Sequence, residues 1–402
     1  MLLSTQGDSM QDIPQFAQMQ SAIFPFMGSL LFIALHIYIY KALLKSLSTK
    51  AFVRLAWKIF TCINALHCIA YLFLRDSANV PQSIYFLLSL SLGITFLFAM
   101  AAFLYQCCSL IIIITLRTKS ARSRWRHRTK VGIFLISLIM LTFGTYNGVR
   151  KPDIIEHTLE IKGLSTPLKA AVLSDVHIGG LMGQSKIKQL VEMTNALNVD
   201  VIFLSGDIVD APLHNVESIV DELKNLQAKE GIFYVLGNHE YFHDVYNILD
   251  KLKSLGFKIL INENSILDDK INIAGIADFM GWRVGYLEPN FEQTFAHINP
   301  NLPTILLAHQ PKAVRFLEDS YDKVDLVVSG HTHGGQIFPF SLAMLLQQPY
   351  ISGLHTFNNA HQTKVYVSQG AGFWGPPMRI GSEREISVLH LVPMENAESN
   401  IK

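Results

Sequence analysis

Two histidines separated by one residue, His331 and His333, are candidate metal ligands. They follow Leu326–Ser329, an apolar run that predicts a short buried strand. The neighbouring Gly330 and Gly334 let the backbone turn sharply, so that both imidazoles can face one small volume. Neutral imidazole is the commonest side-chain metal ligand. Because such a pair also arises by chance, its weight depends on what precedes it in the chain.

Side chains of the same chemical kind directly follow four other predicted strands. They are Asp175 and His177 after Leu168–Ser174, Asp207 after Val201–Ser205, Asn238 and His239 after Ile232–Leu236, and His309 after Thr304–Ala308. In α/β folds, reactive residues lie on loops beyond the carboxyl ends of the strands. Each turn alone has a structural explanation, but five coincidences at one topological position favour a functional site. The donors are oxygen and nitrogen, which suits Mn, Fe or Zn without selecting among them.

In this order the motifs resemble those of the calcineurin-like metallophosphoesterases. The matching motifs are Asp175-X-His177, Gly206-Asp207, Gly237-Asn238-His239-Glu240, His309 and Gly330-His331-X-His333. The likeness covers about residues 155–392. The turn Gly330–Gln336 and the segment Gln369–Gly381 are similar, more narrowly, to the membrane-associated phosphohydrolase branch. The resemblance implies a sandwich of two mixed β-sheets flanked by helices, with the site at the sheet edges.

The resemblance also implies a role for each motif residue. Asp175, His177 and His333 would hold the first of two divalent metal ions. Asn238, His309 and His331 would hold the second, and the Asp207 carboxylate would bridge them. Two such ions about 3.5–4 Å apart lower the pKa of a bridging water and clamp the oxygens of an in-line displacement at phosphorus. His239 is not counted as a ligand and would face the leaving-group oxygen, as proton donor or charge stabiliser.

Two positions depart from the protein Ser/Thr phosphatases of this superfamily. Those enzymes place arginines after the bridging aspartate segment and just before the Gly-Asn-His run, where this chain has Ala211 and Leu236. The bidentate phosphate clamp that such arginines form is therefore missing. A protein phosphatase is disfavoured, and a diester, pyrophosphate or lipid-phosphate substrate fits better.

Alternating strand and helix patterns must position these residues. Further strands are predicted at Ile271–Ile276, Lys364–Ser368 and Ile386–Val392, and helices at Gln184–Leu197, Val216–Leu226 and Val245–Leu255. This alternation predicts an α/β fold with largely buried sheets, which we assign to residues 151–402.

Residues 1–150 differ from the remainder in charge and hydropathy. They hold 14 Lys and Arg against three acids, a net charge of +11, whereas the remainder holds 19 basic and 29 acidic residues, a net charge of −10. Only 16% of the chain is charged, against about 25% in ordinary soluble domains. The contrast predicts an all-α transmembrane domain followed by a soluble one. All four cysteines precede residue 110, so the soluble part can form neither a disulfide nor a thiolate metal site.

Apolar runs predict four membrane-spanning helices near 23–40, 55–74, 84–116 and 131–149. The connections 41–58 and 117–130 hold basic residues and no acid, which places them in the cytoplasm by the positive-inside rule. The catalytic domain is then exoplasmic, or periplasmic if the cell has two membranes. Alternatively, the overlong third run conceals two short spans, and the catalytic domain is cytoplasmic. Because apolar runs flank 117–130, we expect a membrane connection there and no nucleic-acid partner.

Several residues are open to both a structural and a functional interpretation. Ile337–Leu346 has one polar residue in ten and is interpreted as core packing, with a lip that dips into the bilayer as the alternative. Arg379 would meet substrate phosphate or pair with Glu383 or Glu385. Histidines outside the motifs are interpreted as ordinary surface or core residues: His157, His214, His243, His297, His355, His361 and His390.

Three functions are compatible with these patterns. The first is an integral, multi-pass protein of the cell or inner membrane that hydrolyses a phosphoester, with an envelope lipid or its precursor as substrate. The second is a UDP-diacylglucosamine pyrophosphohydrolase of lipid A synthesis, which resembling enzymes carry out on the cytoplasmic side. The third is a membrane transporter or scaffold with a sensory phosphoesterase-like domain. Polar groups in the predicted spans are sparse and include no acid, which disfavours an ion pathway.

Overall fold

A computed structural model describes residues 15–77, 80–317 and 323–394 of the chain, with side chains from residue 23 onward. The described residues form two compact units. The first unit holds the described residues up to Arg75 together with Ile94–Ser137. The second holds those of Asp76–Gly93 and those from Leu138 onward.

Four long apolar helices come first along the chain. They are α1 (Gln15–Ile39), continued by a π-helical turn at Tyr40–Leu44, α2 (Ala51–Leu74), α3 (Gln82–Thr115) and α4 (Lys119–Val149). Each is long and apolar enough to cross a membrane. The third run is one helix of 34 residues, not two short spans. Helix α4 begins at Lys119 and not at residue 131, because the basic residues before the apolar run are themselves good helix formers.

Polar side chains inside the first unit bond one another across α1, α2 and α3. The Asn64 side-chain nitrogen lies 2.9 Å from His36 Nε2 and donates to Thr95 Oγ1 over 2.8 Å. His36 Nδ1 lies 2.7 Å from the Phe32 carbonyl oxygen. Hydrogen bonds of this kind stabilise the association of apolar helices. The network therefore has a structural explanation and does not by itself support the transporter hypothesis.

Two six-stranded sheets make up most of the second unit as described. The first contains, in spatial order, β1 (Asp153–Ile161), β12 (Glu385–Pro393), β2 (Leu168–Leu173), β3 (Val201–Ser205), β4 (Gly231–Val235) and β5 (Lys258–Ile259). The second contains β10 (Gly353–Thr356), β11 (Lys364–Val367), β9 (Leu326–Ser329), β8 (Thr304–Leu307), β7 (Ile271–Gly275) and β6 (Glu263–Leu267). Both are mixed. In the first sheet β12 runs antiparallel to β2 while β2, β3 and β4 run parallel. In the second β10 runs antiparallel to β11 while β11, β9 and β8 run parallel.

Helices cover the outer faces of the two sheets. Helices α5 (Gln184–Asn195), α6 (Leu213–Val220) and α7 (Val245–Ser254) pack on the first sheet. The shorter helices are α8 (Met280–Val284), α9 (Phe291–Phe295) and α10 (Phe340–Met344), with 3-10 turns at Asp221–Asn225, Glu240–Phe242, Pro311–Leu317 and His333–Gly335. Apolar side chains such as Phe203 and Ile305 fill the space between the sheets. This confirms the predicted class: four apolar helices, then an α/β sandwich of two mixed sheets flanked by helices.

The first turns of α3 and the last turns of α4 belong to the second unit. The Arg379 backbone N–H donates to the Gly144 carbonyl of α4 over 2.8 Å. The Ser89 hydroxyl of α3 donates to the Gly375 carbonyl. These helix ends are therefore bonded to the loop that follows β11. The division of the chain at residue 150 stays a prediction.

Candidate metal centre

Loops from both sheets meet where β2, β3, β4, β8 and β9 end. The Asp175 N–H donates to the Gly206 carbonyl over 3.1 Å, and the Gly330 N–H donates to the His309 carbonyl over 2.9 Å. Five of the predicted site residues have φ between 50° and 70°: Asp175, His177, Asp207, His331 and His333. This backbone conformation is uncommon outside glycine and clusters at functional sites, where the surrounding structure holds it.

Two glycines allow these loops to approach one another. A Cβ atom at Gly330 would collide with the side chains of Ser174 and Asp175. A Cβ atom at Gly237 would collide with the side chain and backbone nitrogen of Asp207. Any larger residue at either position would push apart the loops that carry the candidate ligands.

The first group of candidate ligands contains Asp175, His177 and His333, whose ligand atoms lie within 4.8 Å of one another. His177 Nε2 lies 3.0 Å from His333 Nε2, and His333 Nε2 lies 3.4 Å from Asp175 Oδ1. The Ser174 hydroxyl donates to Asp175 Oδ2 over 2.6 Å, and the His331 N–H donates to the same carboxylate over 2.9 Å. The second bond links the two candidate ligand groups through the backbone.

The second group contains Asp207, His309 and His331, again within 4.8 Å of one another. Asp207 Oδ2 lies 3.1 Å from His309 Nε2 and 3.9 Å from His177 Nε2 of the first group. This carboxylate therefore faces both groups. The structure thus brings together the aspartates and histidines that the sequence singled out as ligands.

Asn238 and His309 provide the test of whether a cation fits here. Asn238 Oδ1 is buried and has no hydrogen-bond partner among the described residues, whereas the buried His309 Nε2 lies 3.1 Å from Asp207 Oδ2. His309 Nδ1 lies 2.8 Å from the Ser205 carbonyl oxygen, so Nδ1 is the donor and the neutral form of the ring carries its free electron pair at Nε2. A buried polar atom without a partner is costly, and a metal ion would satisfy Asn238 Oδ1 and accept the electron pair of His309 Nε2. The donor set therefore fits a divalent cation.

The pKa values of the clustered groups show the same need for positive charge. Burial raises the pKa of the Asp175 carboxyl and lowers the pKa of the His331 imidazole to about 3. Burial would also raise the pKa of Asp207, but the His309 and His239 imidazoles outweigh it and hold that pKa well below its usual range. Burial lowers the pKa of the His309 imidazole, but the Asp207 carboxylate outweighs burial and raises that pKa well above its usual value. Protons on the imidazoles thus supply positive charge to the buried carboxylates, which a bound cation would supply in their place.

Residues 168–335 match the family model described as calcineurin-like phosphoesterase. Over 278 residues the chain is 40% identical to an "Uncharacterized metallophosphoesterase" of Helicobacter pylori, covering 69% of this chain and 74% of that protein. An uncharacterized metallophosphoesterase of Campylobacter jejuni is 32% identical over 372 residues, covering 92% of this chain and 98% of that protein. The chain belongs to the calcineurin-like metallophosphoesterases. It is therefore a metal-dependent phosphoesterase.

Membrane-linked relatives exist for this metallophosphoesterase. It is 31% identical over 317 residues to a Danio rerio "Transmembrane protein with metallophosphoesterase domain", covering 75% of this chain and 72% of that protein. The four apolar helices and this relative both indicate a membrane protein.

The sequence interpretation missed Asp210. Its carboxylate contacts the imidazole rings of His239 and His177 on the side away from the ligand groups. Its Oδ1 lies 2.7 Å from His239 Nδ1, and its Oδ2 lies 3.2 Å from His177 Nδ1. His243, interpreted as unrelated to the site, places its Nε2 3.2 Å from the same carboxylate. Burial lowers the pKa of His239, but the Asp210 and Asp207 carboxylates outweigh burial and raise it to about 9. The available signal was spacing, since Asp210 follows Asp207 by one short turn.

A second carboxylate, Glu240, holds the backbone of the site and is fully buried. It accepts the N–H groups of Asp207, Ile208 and Val209 over 3.2, 2.7 and 3.2 Å. It also accepts the Gly237 N–H over 3.0 Å. One side chain therefore joins the loop after β3 to the loop after β4.

Arg379 takes neither of the two roles expected for it. Its guanidinium is fully buried and donates to the His333 carbonyl over 2.6 Å and to the Gly372 carbonyl over 2.8 Å. It braces the His333 turn from behind. Substrate phosphate does not reach a guanidinium enclosed in this way. Its hydrogen bonds go to backbone carbonyls, the Ser382 hydroxyl and the His333 ring nitrogen Nδ1, and not to Glu383 or Glu385.

Proposed function

We propose that this metallophosphoesterase is a membrane-anchored hydrolase that uses two divalent metal ions to cleave a diester, pyrophosphate or lipid phosphate. The observation that carries the proposal is the position of Asp207 between the two ligand groups. A carboxylate shared by two ligand groups is the arrangement that binuclear hydrolytic sites need.

Each ligand group is assigned to one ion. Asp175, His177 and His333 would hold the first, Asn238, His309 and His331 would hold the second, and Asp207 would contact both. When bound, the ions supply Lewis-acid polarisation of the phosphoryl group and activation of a water nucleophile. Oxygen and nitrogen donors suit Mn, Fe or Zn. The Ser174 hydroxyl and the Ser205 carbonyl orient two of these side chains by hydrogen bonds, as outer partners do in metal sites.

His239 is assigned the proton that the leaving group needs. Its Nε2 lies 4.0 Å from Asp207 Oδ2, so the ring edge opposite Asp210 faces the ligand groups. The hydrogen bond from Nδ1 to Asp210 fixes the ring orientation. A protonated imidazole in this place donates to the departing oxygen or stabilises its charge.

The apolar residues Ala211 and Leu236 limit the substrate class. Both side chains are buried, and Leu236 is fully enclosed. An arginine clamp of the protein-phosphatase type has no counterpart at these positions. This supports a diester, pyrophosphate or lipid phosphate over a phosphorylated protein.

Removal of the shared carboxylate tests the proposed chemistry. We expect Asp207→Asn to abolish hydrolysis of bis(p-nitrophenyl) phosphate by the purified, metal-loaded full-length protein. Asp221→Asn, which alters a partly exposed carboxylate paired with Lys251, is the matched control and should leave turnover unchanged. Retained turnover in Asp207→Asn would defeat the proposal.

The side of the membrane follows from charge and stays part of the proposal. The basic residues of 41–58 and 117–130 support a cytoplasmic position for both connections, and hence an exoplasmic or periplasmic catalytic domain. A reporter fused after Lys402 discriminates between an exoplasmic or periplasmic catalytic domain and a cytoplasmic one. Activity from a cytoplasm-active reporter alone would reverse this topology and favour the UDP-diacylglucosamine pyrophosphohydrolase instead.

A further inference from the structure

An exposed apolar segment directly follows the metal-binding turn. The apolar lip consists of Phe338, Phe340, Leu342, Leu345 and Leu346, whose side chains are between 49% and 86% exposed. No charged residue occurs between Ile337 and Tyr350. Contiguous exposed apolar side chains of this kind mark interaction sites for membranes or proteins. The interpretation of these five residues as core packing is therefore wrong, and of the segment's large apolar side chains Ile337 is the one that is buried.

The lip is connected to the candidate metal centre through Gln336 and Trp374. The Gln336 side chain donates to the Trp374 carbonyl over 2.8 Å and accepts the Trp374 N–H over 3.2 Å. The Trp374 ring lies 5.7 Å from the His239 ring, and the Phe242 ring lies at the same distance. Both aromatic side chains are about half exposed. The surface beside the assigned proton donor is therefore aromatic.

The lip is also connected to the apolar helix ends of the same unit. The Phe338 N–H donates to the Ile380 carbonyl over 2.9 Å, and the next residue, Arg379, donates its N–H to the Gly144 carbonyl of α4. A Cβ atom at Gly144 would lie 2.6 Å from the Ile380 side chain. Two backbone hydrogen bonds, made by the adjacent residues Ile380 and Arg379, thus connect the lip to α4.

The last turns of α4 indicate what covers the lip. Most of their exposed side chains are apolar too, with Ile139, Phe143 and Tyr146 more than half exposed. A helix of this composition is covered by lipid. Because the lip is joined to this helix through Ile380 and carries no charge, the occupant that fits it is the same bilayer.

We propose that the apolar lip inserts into the bilayer and that the scissile phosphoester lies in the headgroup of an amphiphile. The lip places the site at the membrane surface, and the headgroup enters past Trp374 and Phe242 while its chains stay in the lipid. This rests on the proposed hydrolase function and narrows its substrate class to amphiphiles. Long-chain phosphodiesters are therefore better substrates than short-chain esters with the same leaving group.

A pair of chromogenic diesters tests the substrate class. Hexadecyl p-nitrophenyl phosphate partitions into lipid, whereas ethyl p-nitrophenyl phosphate stays in water. With the metal-loaded full chain in phosphatidylcholine nanodiscs, we expect a higher kcat/KM for the hexadecyl ester. The double variant Leu342→Glu/Leu346→Glu should lower that kcat/KM by about tenfold or more and leave the ethyl ester unchanged. An undiminished preference for the hexadecyl ester in the variant would overturn the proposal. Failure of the wild type on both esters would instead reject the hydrolase function.

A fluorescent label tests insertion without reference to activity. Leu346→Cys is made in a chain whose Cys62, Cys68, Cys107 and Cys108 are replaced by Ala, and is labelled with a nitrobenzoxadiazole probe. Ile266→Cys, on the exposed face of edge strand β6, is the matched control. Doxyl-labelled lipid in the nanodisc should quench the probe at 346 and not at 266. Equal quenching at the two positions would contradict insertion.

Discussion

The metal centre and the apolar lip depart from the usual distribution of side chains in opposite directions. Asp175, Asp207 and His309 are almost completely buried although they are polar or charged, whereas Leu346 is 86% exposed although it is apolar. Buried charge is costly unless it is paired, and exposed apolar clusters are uncommon on soluble surfaces. Each region thus indicates a partner outside the chain: cations for the centre and lipid for the lip.

The comparison also distinguishes what the two regions require of the backbone. At the centre, five residues are held at positive φ and Glu240 fixes the loops through four backbone N–H groups. The lip needs only an anchor, which the backbone bond from Phe338 to Ile380 supplies. Substitutions at the centre should therefore reduce chemistry, and substitutions in the lip should change only how the protein meets lipid.

Metal removal should have the largest effect. Dialysis of the purified chain against a chelator should abolish hydrolysis of bis(p-nitrophenyl) phosphate, and added Mn²⁺ should restore it. The Tm should fall as well, because ions that bind only the folded state stabilise it by mass action. Thermal unfolding followed by circular dichroism measures this, with the Asp207→Asn chain as a control that should respond less. Full turnover after chelation would contradict a role for cations in the hydrolysis.

Loss of the carboxylate behind His239 should have an intermediate effect. We expect Asp210→Asn to reduce kcat by roughly 10–100-fold, as substitution of outer hydrogen-bond partners does in metal sites. KM should change little, because Asp210 orients His239 and His177 and does not contact the substrate. Steady-state kinetics of Asp210→Asn beside Asp221→Asn provide the measurement. Equal rates for the two variants would show that this carboxylate positions nothing important.

Two leucine truncations compare the interior with the lip directly. Leu307→Ala in β8 removes a fully buried side chain and should lower the free energy of unfolding by about 2–5 kcal/mol. Leu346→Ala removes an exposed side chain and should change it by no more than about 0.5 kcal/mol. Denaturant unfolding in the same detergent measures both. A large loss in Leu346→Ala would mean that the lip packs against protein.

The sequence predicted the elements whose signals are local. Strands β3 and β9 have the predicted bounds, because strands buried on both faces are continuous apolar runs. The residues directly after five strand ends were identified for the same reason. Strand β1 was missed: its exposed and buried residues alternate, and it pairs with β12 more than 200 residues away. Nothing near β1 in the sequence indicates that partner.

The other residues that the sequence interpretation missed are those whose role depends on neighbours that only folding brings close. Asp210 and His243 gain a role only because folding places them against His239. Arg379 was expected to contact phosphate or a glutamate, yet it binds carbonyl groups behind His333. The lip was misjudged because apolar composition alone cannot distinguish a side chain buried in protein from one exposed on its surface.

The metal content of the intact chain is the most direct test of the central claim that Asp207 joins two cation sites. Inductively coupled plasma mass spectrometry of the purified, Mn²⁺-loaded protein should give about two ions per chain for the wild type. Asp207→Asn should bind fewer, and Asp221→Asn should match the wild type. A wild-type chain that binds one ion or none, or an Asp207→Asn chain that still binds two, would contradict the account.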